Sequence, residues 1–355
     1  MGGQKGIAFF YQYLSRLLPV TMISTGNNEI PAGLDATFLP VLSNSRLRYI
    51  NPFLFFKIRR ILIQNKSTHF ILEHPYYGWL GVLLKKFCPV SLIIHSHNIE
   101  ALRFKSTGRW WWKLLWQYEK WVHKNADTNF FITDEDREFA LKHFFLDPER
   151  CHTITYGFEI SDPPLAAEKQ ESKKKLQGLH HIADGEKILL FNGTLDYKPN
   201  QDAVDLILQT INPLLISNAA LKYKIIICGK GLPAAYAELK EYADKNIIYA
   251  GFVDDINIYF KGADLFINPV IDGGGIKTKL VEALGYGLSV VSTKSGAIGV
   301  PQSITGNKLH TVADSDWQAF SEAIYQADTT ANIPTAFFDH FYWGKIAEKV
   351  KQVIT

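Results

Sequence analysis

The sequence predicts an α/β protein made of two doubly wound units with parallel sheets, facing each other across a cleft. Three observations lead there. At 355 residues the chain is too long for one ordinary core, and about 100–200 residues per domain points to two. Short β-rich runs alternate with helical periodicity in both halves, as crossover helices between parallel strands require. Between the halves, residues 161–185 carry Asp-Pro-Pro and a dense charge run without strand-like alternation, so they read as a connector with at most a short helix.

Taken in order, strands are expected at 20–24, 36–42, 69–73, 90–95, 128–132 and 152–156. Helices at 6–18, 52–65, 77–87, 109–124 and 134–144 lie among them. The second half repeats the rhythm with strands at 187–191, 224–228, 247–252, 264–269, 289–293 and 309–312. An amphipathic helix at 338–354 follows Pro334. The expected domains are 1–165, 186–335 and a returning helix within 336–355. A doubly wound unit normally begins with a buried strand feeding a glycine loop. Here Gly2-Gly3-Gln4-Lys5-Gly6 comes at once, so the first strand reads as missing.

Composition narrows the function. Hydrophobic residues make up 47% and charged residues 21%, which excludes general disorder. A net charge of +3 gives no reason to expect nucleic acid as a partner. Cys88, Cys151 and Cys228 form neither a CxxC zinc site nor a disulfide framework, which fits a reducing cytoplasm. The apolar stretches at 79–84 and 91–94 fall short of the ~20 residues that span a bilayer. A cytoplasmic protein, peripheral at most at the inner face of the membrane, is expected.

The densest chemical signal is Asp272-Gly273-Gly274-Gly275-Ile276-Lys277-Thr278-Lys279, which follows a strand and enters a helix. Glycines before a helix let backbone N–H groups approach an anion, and the helix N-terminus favours negative charge there. Lys279 and Glu282 are three apart and share one helix face. The lysines suit phosphate, and the carboxylate suits ribose hydroxyls. A flexible loop with a solvated Lys–Glu pair is the plain alternative. His97 ends the apolar run 90–94, where α/β sites lie, and could bind a sugar hydroxyl or orient an acceptor. His95 and His97 share one strand face, but without a third ligand nearby no metal site is expected. Asp134-Glu135-Asp136 follows Thr133 and reads as a helix cap. The segment Arg109-Trp110-Trp111-Trp112-Lys113-Leu114-Leu115-Trp116 has the composition of an interfacial helix. Trp111, Leu115, Tyr118 and Val122 equally suit an ordinary packed stripe.

Several blocks together resemble one family. The run from Phe191-Asn192-Gly193-Thr194 to Lys198-Pro199-Asn200, then Tyr249-Ala250-Gly251-Phe252-Val253-Asp254-Asp255, then 273–293, are similar in order and spacing to the donor domain of glycosyltransferase family 4. His97-Asn98-Ile99-Glu100 is similar to the matching element of its acceptor domain.

The resemblance implies the GT-B fold of two Rossmann-like domains, and transfer of a sugar from a nucleotide-sugar with retention of anomeric configuration. Domain 1–165 would bind the acceptor and domain 186–335 the donor. Glu282 matches the second Glu of the family's Glu-x7-Glu motif. Gly274 stands at the first, as in the subgroup whose glycine run replaces that Glu. Thr194 stands where the family carries Arg, and Lys198 is nearest to its Lys partner. The implied donor site is Gly2, Gly3, Gly193, Thr194, Lys198, Gly251, Phe252, Gly273, Gly274, Gly275, Lys277, Lys279 and Glu282. The implied acceptor site is His97, Asn98, Glu100 and Arg103, and His97, Lys279 and Glu282 are expected to carry catalysis. The nucleotide-sugar is a co-substrate, and no essential metal or other cofactor is expected. The acceptor would be a glycan or lipid-linked sugar in surface polysaccharide synthesis, with a membrane contact through 109–116. Two alternatives stay open: a non-catalytic nucleotide-sugar-binding relative, and another GT-B enzyme such as a nucleotide-sugar epimerase.

Overall fold

The structure is a computed structural model that describes every residue except 1, 29–32, 218–220 and 274, with side chains described from Lys5 onward. In chain order the first elements are α1 (Gly2–Ser15), β1 (Thr21–Thr25), β2 (Thr37–Leu42), α2 (Leu54–Gln64), β3 (His69–Glu73) and α3 (Gly78–Phe87). They are followed by β4 (Ser91–Ser96), α4 (Glu100–Ser106), α5 (Trp112–Asn125), β5 (Thr128–Phe131), α6 (Asp134–Phe144) and β6 (Cys151–Thr153). Next come α7 (Ala166–His180), β7 (Lys187–Asn192), α8 (Lys198–Leu206), α9 (Asn212–Ile216), β8 (Tyr223–Cys228), β9 (Ile247–Gly251) and α10 (Ile256–Gly262). The chain ends with β10 (Leu265–Asn268), α11 (Thr278–Gly285), β11 (Ser289–Thr293), β12 (Leu309–Val312), α12 (Trp317–Gln326), α13 (Thr335–Phe341) and α14 (Trp343–Ile354). Two compact units result, Met1–Gly157 with Trp343–Thr355, and Phe158–Tyr342. No helix among the described residues is long and apolar enough to cross a membrane.

In the first unit, β3-β4-β5-β6 form a parallel sheet, and β1 and β2 form a separate parallel pair. Strand β4 is apolar in a continuous run because both of its faces are covered. The central residues Leu92, Ile93 and Ile94 are fully buried. Helix α14 joins this unit through Trp343, whose ring lies 5.4 Å from Tyr156 and 6.4 Å from Phe10. Gly157 has no side chain because a Cβ there would stand 2.5 Å from Trp343. Strands β1 and β3 each pair on one side only, and both line a cavity of about 1440 Å3 that α1 and α2 also line. Their second edges therefore carry backbone N–H and C=O groups without a ladder partner.

In the second unit, six parallel strands run in the order β12-β11-β10-β7-β8-β9. Successive residues of β7 alternate between two cores. Ile188 and Leu190 pack with Phe260, Phe266, Leu280 and Leu284, while Leu189 and Phe191 pack with Val204, Ile207 and Phe320. The second half thus has the doubly wound form, with helices on both faces.

Several local expectations change. The pair Gly2-Gly3 is helical, in the first turn of α1, and not a loop. The buried Phe10, Tyr11 and Leu14 anchor that helix, and the glycine cost of about 1 kcal/mol each in a helix does not stop it from extending backwards. The connector holds the fifteen-residue α7. Its pattern is weak because only Ser172 and Leu176 are buried. It is held by close approach to Gly262, where a Cβ would meet the Ser172 backbone at 2.8 Å, and by Lys173 to Asp264 at 2.6 Å. The expected helix 338–354 is two helices, broken where Tyr342 turns to extended geometry and bridges to Phe158.

Candidate functional site

Strand β7 begins the second sheet yet lies in its middle, with β10 on one side and β8 on the other. The chain order reverses there, and loops leaving the carboxyl ends of such neighbours diverge around a crevice. The loop after β7 and the loop after β10 meet at this point. Lys279 Nζ donates to Asn200 Oδ1 at 3.0 Å, and Asn200 Nδ2 donates to the Thr194 carbonyl at 3.0 Å. A Cβ on Gly193 would stand 2.8 Å from Asn200 Nδ2, and one on Gly273 would stand 3.2 Å from the Tyr197 hydroxyl. Gly273 and Gly275 have φ of +91° and +70°, the left-handed region where other residues are strained.

The two lysines are under-compensated cations. Lys277 Nζ donates to the carbonyls of Gly273 at 2.6 Å and Gly275 at 3.0 Å, bracing the glycine loop from inside. Lys279 Nζ lies 4.2 Å from the centre of the Phe191 ring. Burial pushes the Lys277 ammonium down to about 8. Burial, with the Lys277 charge adding to it, pushes Lys279 down to about 7. A doubly charged anion at the start of α11 would reverse both shifts.

The other predicted donor residues fall as follows. Glu282 lies half-buried on α11, one turn after Lys279. Thr194 is exposed in the β7–α8 loop. Gly251 ends β9 with φ of +66° and Phe252 beside it is exposed. The backbone N–H of Gly229, after β8, donates to the Gly251 carbonyl at 2.8 Å. Lys198 is exposed on α8 and paired with Asp202 one turn on. An i,i+4 partner in reach holds the ammonium there. Gly274 lies outside the described residues. Asn200 was quoted in the motif without a role, and the structure gives it one.

In the first unit the centre is a residue the sequence reading passed over, Glu73. Parallel pairing sets Glu73 at the end of β3 opposite His95 of β4, with His97 just beyond the strand. His95 Nδ1 lies 3.1 Å from Glu73 Oε1, His97 Nε2 lies 2.6 Å from Oε2, and Tyr11 of α1 donates its hydroxyl to Oε1 at 2.7 Å. Burial alone would raise the Glu73 carboxyl. The contacts from His95 and His97 override it and hold the group well below the usual carboxylate range. With Glu73 ionised, His97 Nε2 is the donor in that contact.

A second carboxylate stands next to the first. Glu100 is buried and accepts from Tyr76 at 2.6 Å and from Arg103 Nε at 2.8 Å, with His74 Nδ1 at 3.3 Å. Burial would raise it, but those three contacts bring it down to about 2. The His74 and His97 rings are 4.5 Å apart and link the two clusters. Asn98 is half-buried between them in sequence. Glu119 accepts the backbone N–H groups of Glu100 and Ala101 at 2.9 Å each, capping α4 from a neighbouring helix.

Glu73 also supplies the third group that the His95–His97 pair lacked in the sequence. The ligand atoms of the three residues lie within 4.8 Å of one another, the spacing a metal ion needs. His95 Nδ1 and His97 Nε2 are hydrogen-bonded to Glu73, while the other His95 nitrogen, Nε2, is buried without a hydrogen-bond partner among the described residues. Elsewhere, Thr133 accepts from Asp136 N–H at 3.1 Å and caps α6, as expected. In the segment 109–116, Trp116 packs on Phe139 and Phe144 and Trp112 lies under Lys105 and Lys113. Trp110 and Leu114 are exposed.

Comparison with known proteins agrees with this geometry. Residues 2–162 match the family described as Glycosyltransferase Family 4, and residues 186–328 match Glycosyl transferases group 1. A chitobiosyldiphosphodolichol beta-mannosyltransferase of Debaryomyces hansenii is 24% identical over 83% of this chain and 67% of its own length. A UDP-Gal:alpha-D-GlcNAc-diphosphoundecaprenol alpha-1,3-galactosyltransferase of Escherichia coli is 25% identical over 62% of this chain and 56% of its own. The chain thus spans 56% to 67% of the length of these two relatives. Among solved structures, a glycosyltransferase from Rickettsia africae superposes with a TM-score of 0.73 at 16% identity, covering 99% of this chain and 94% of that one. Anabaena Alr3699/HepE in complex with UDP superposes with a TM-score of 0.70 at 14% identity, covering 99% and 95%. These likenesses establish the GT-B fold. Along its length the chain is therefore similar to a Glycosyltransferase Family 4 domain followed by a Glycosyl transferases group 1 domain.

Proposed function

We propose that this chain is a retaining, metal-independent glycosyltransferase that moves a sugar from a nucleotide-sugar to a lipid-linked or other glycan acceptor during surface polysaccharide synthesis. The observation that carries this reading is the meeting of Lys279 and Asn200 where the second sheet reverses its strand order. Two half-buried cations and positive-φ glycines at the mouth of α11 suit a diphosphate better than any neutral ligand.

When the bond from the sugar's anomeric carbon to diphosphate breaks, negative charge grows on the leaving phosphate. Lys277, Lys279 and the backbone N–H groups at the start of α11 stabilise it, as preorganised donors do at other electrostatic sites. Glu282 accepts from the ribose hydroxyls. In the first unit, His97 Nδ1 accepts from the acceptor hydroxyl, and Glu73 holds the ring in that tautomer. The subgroup reading, with glycines in place of the first Glu, leaves the anion to the lysines. Both curated relatives are named for acceptors built on a lipid diphosphate, which supports a lipid-linked acceptor and work at the inner face of the membrane. Trp110 and Leu114 beside Lys105, Arg109 and Lys113 support a contact through 109–116.

Incubation of the chain with UDP- and GDP-sugars and a polyprenyl-diphosphate-linked sugar tests this. Transfer is expected, with the product keeping the donor's anomeric configuration by NMR. Inverted product would overturn the retaining assignment. Epimerised donor without transfer, or nucleotide binding without turnover, would overturn the transferase itself.

A further inference from the structure

Residues 36–72 contain no Asp or Glu, yet Arg46, Arg48, Lys57, Arg59, Arg60 and Lys66 fall among them. Helix α2 lies inside this stretch. Its inner face is ordinary: Leu54, Ile58 and Leu62 are buried against Leu80 and Leu84 of α3. Its outer face is not. A surface helix normally turns polar residues outward, but Phe53 and Phe56 are 75% and 70% exposed, and Ile63 is exposed with them. Lys57, Arg59 and Arg60 are exposed between them.

The surface extends in two directions. The short turn Arg46–Ile50 just ahead of α2 points Leu47 and Ile50 into solvent. At the end of α3, exposed Phe87 lies 5.6 Å from Phe55, which lies 5.3 Å from Phe56, so Phe87 and the exposed Lys86 belong to the same face. Among the described residues, none of Arg46, Lys57, Arg59, Arg60 and Lys86 has a carboxylate partner.

Charge decides what covers it. The core of a protein interface is depleted in lysine and rimmed by charge. Here unpaired cations stand among the aromatic rings, which is the composition of an interfacial helix. Burying an exposed Phe ring in the acyl boundary is favourable, and each cation near an anionic leaflet adds electrostatic attraction. We propose that residues 46–63 with Lys86 and Phe87 form a membrane-docking face for anionic lipid, with Phe53, Phe56 and Phe87 entering the acyl boundary. It is separate from 109–116, where Trp116 packs on Phe139 and Phe144. It does not depend on the transferase reading, since docking needs no catalysis.

The test is co-sedimentation of the full chain with phosphatidylcholine vesicles, with and without phosphatidylglycerol. The parent is expected to bind only the anionic vesicles, less so at high salt. Arg59→Glu/Arg60→Glu is expected to lower that affinity by about tenfold or more, and Phe53→Ser/Phe56→Ser to lower it as well. These side chains are exposed, and an unchanged melting temperature confirms folding. Lys105→Glu/Arg109→Glu/Lys113→Glu is expected to keep most of the binding. The proposal is overturned if the parent ignores anionic vesicles, if the α2 variants bind like the parent, or if the 109–116 reversal alone abolishes binding. A concentration-dependent dimer dissolved by Phe53→Ser/Phe56→Ser would assign the face to a second copy instead, and overturn it equally.

Discussion

Lys279 and Asn200 are 79 positions apart in sequence, yet their side chains meet at 3.0 Å. The contact ties the first turn of α8 to the start of α11 and holds a half-buried ammonium between them. Removing it with Lys279→Ala should weaken nucleoside diphosphate binding by about tenfold to a hundredfold, or 1.4–2.8 kcal/mol. Asn200→Ala should cost less, because the lysine remains. A titration in which Lys279→Ala binds like the parent would remove Lys279 from the site.

The depressed lysines also predict a proton count. Lys279 near 7 and Lys277 near 8 are partly neutral in the free chain at pH 8. A bound diphosphate raises both, so binding takes up protons, and affinity falls as pH rises above about 7. That window lies above the terminal phosphate's own titration near ~6, which acts in the opposite sense. Calorimetry at pH 8 in two buffers of different ionisation enthalpy reads the uptake directly; proton release instead would contradict the assignment.

The loop and its lysines were legible in the sequence because they are contiguous: strand, glycines, lysines and helix follow one another. Glu73 was not legible. It is an unremarkable strand end until parallel pairing sets it opposite His95, and no local pattern encodes that register. The pairing of Lys198 with Asp202 is not legible from its closeness to Gly193 along the chain. Helix α7 was reduced to a connector because charge pairs and one glycine contact hold it, with little apolar periodicity to read.

Glu73→Gln keeps the shape of its side chain but loses the charge that fixes the His97 tautomer. It should lower kcat by about a hundredfold, near the lower end of what acid–base groups supply, with a smaller effect on KM for the donor. A change confined to donor KM would show that the cluster does not serve the acceptor.

The same carboxylates predict acid sensitivity. Its contacts hold Glu100 at about 2 in the fold against an ordinary 4.5, so its contribution is fully present above about 4.5 and is lost as pH falls through 2. The shift corresponds to roughly 3 kcal/mol. Melting temperature should therefore drop between pH 5 and pH 3, and Glu100→Gln should flatten that drop while lowering stability at pH 7. An unchanged acid limb in Glu100→Gln would contradict it.

Glu73 already accepts from both His95 Nδ1 and His97 Nε2, so a chelator should leave sugar transfer unchanged and added zinc should not raise it. Activity lost to chelation and restored by zinc would make the cluster a metal centre.

Among the described residues β1 and β3 each have one edge without a strand partner, and both line the same cavity. Adding an apolar strand of about six residues, a usual strand length, ahead of Gly2 should raise the melting temperature by several degrees. A variant with alternating Lys in that strand should not. Equal melting temperatures for both would mean that the edges do not accept a strand.

The central claim is a nucleoside diphosphate site in the second unit, and calorimetric titration with UDP, GDP and ADP tests it most directly. The account predicts that the parent binds one of the three and that Lys279→Ala/Glu282→Ala, still folded, binds none. A folded parent that binds none of them, or a variant that binds as tightly as the parent, would contradict it.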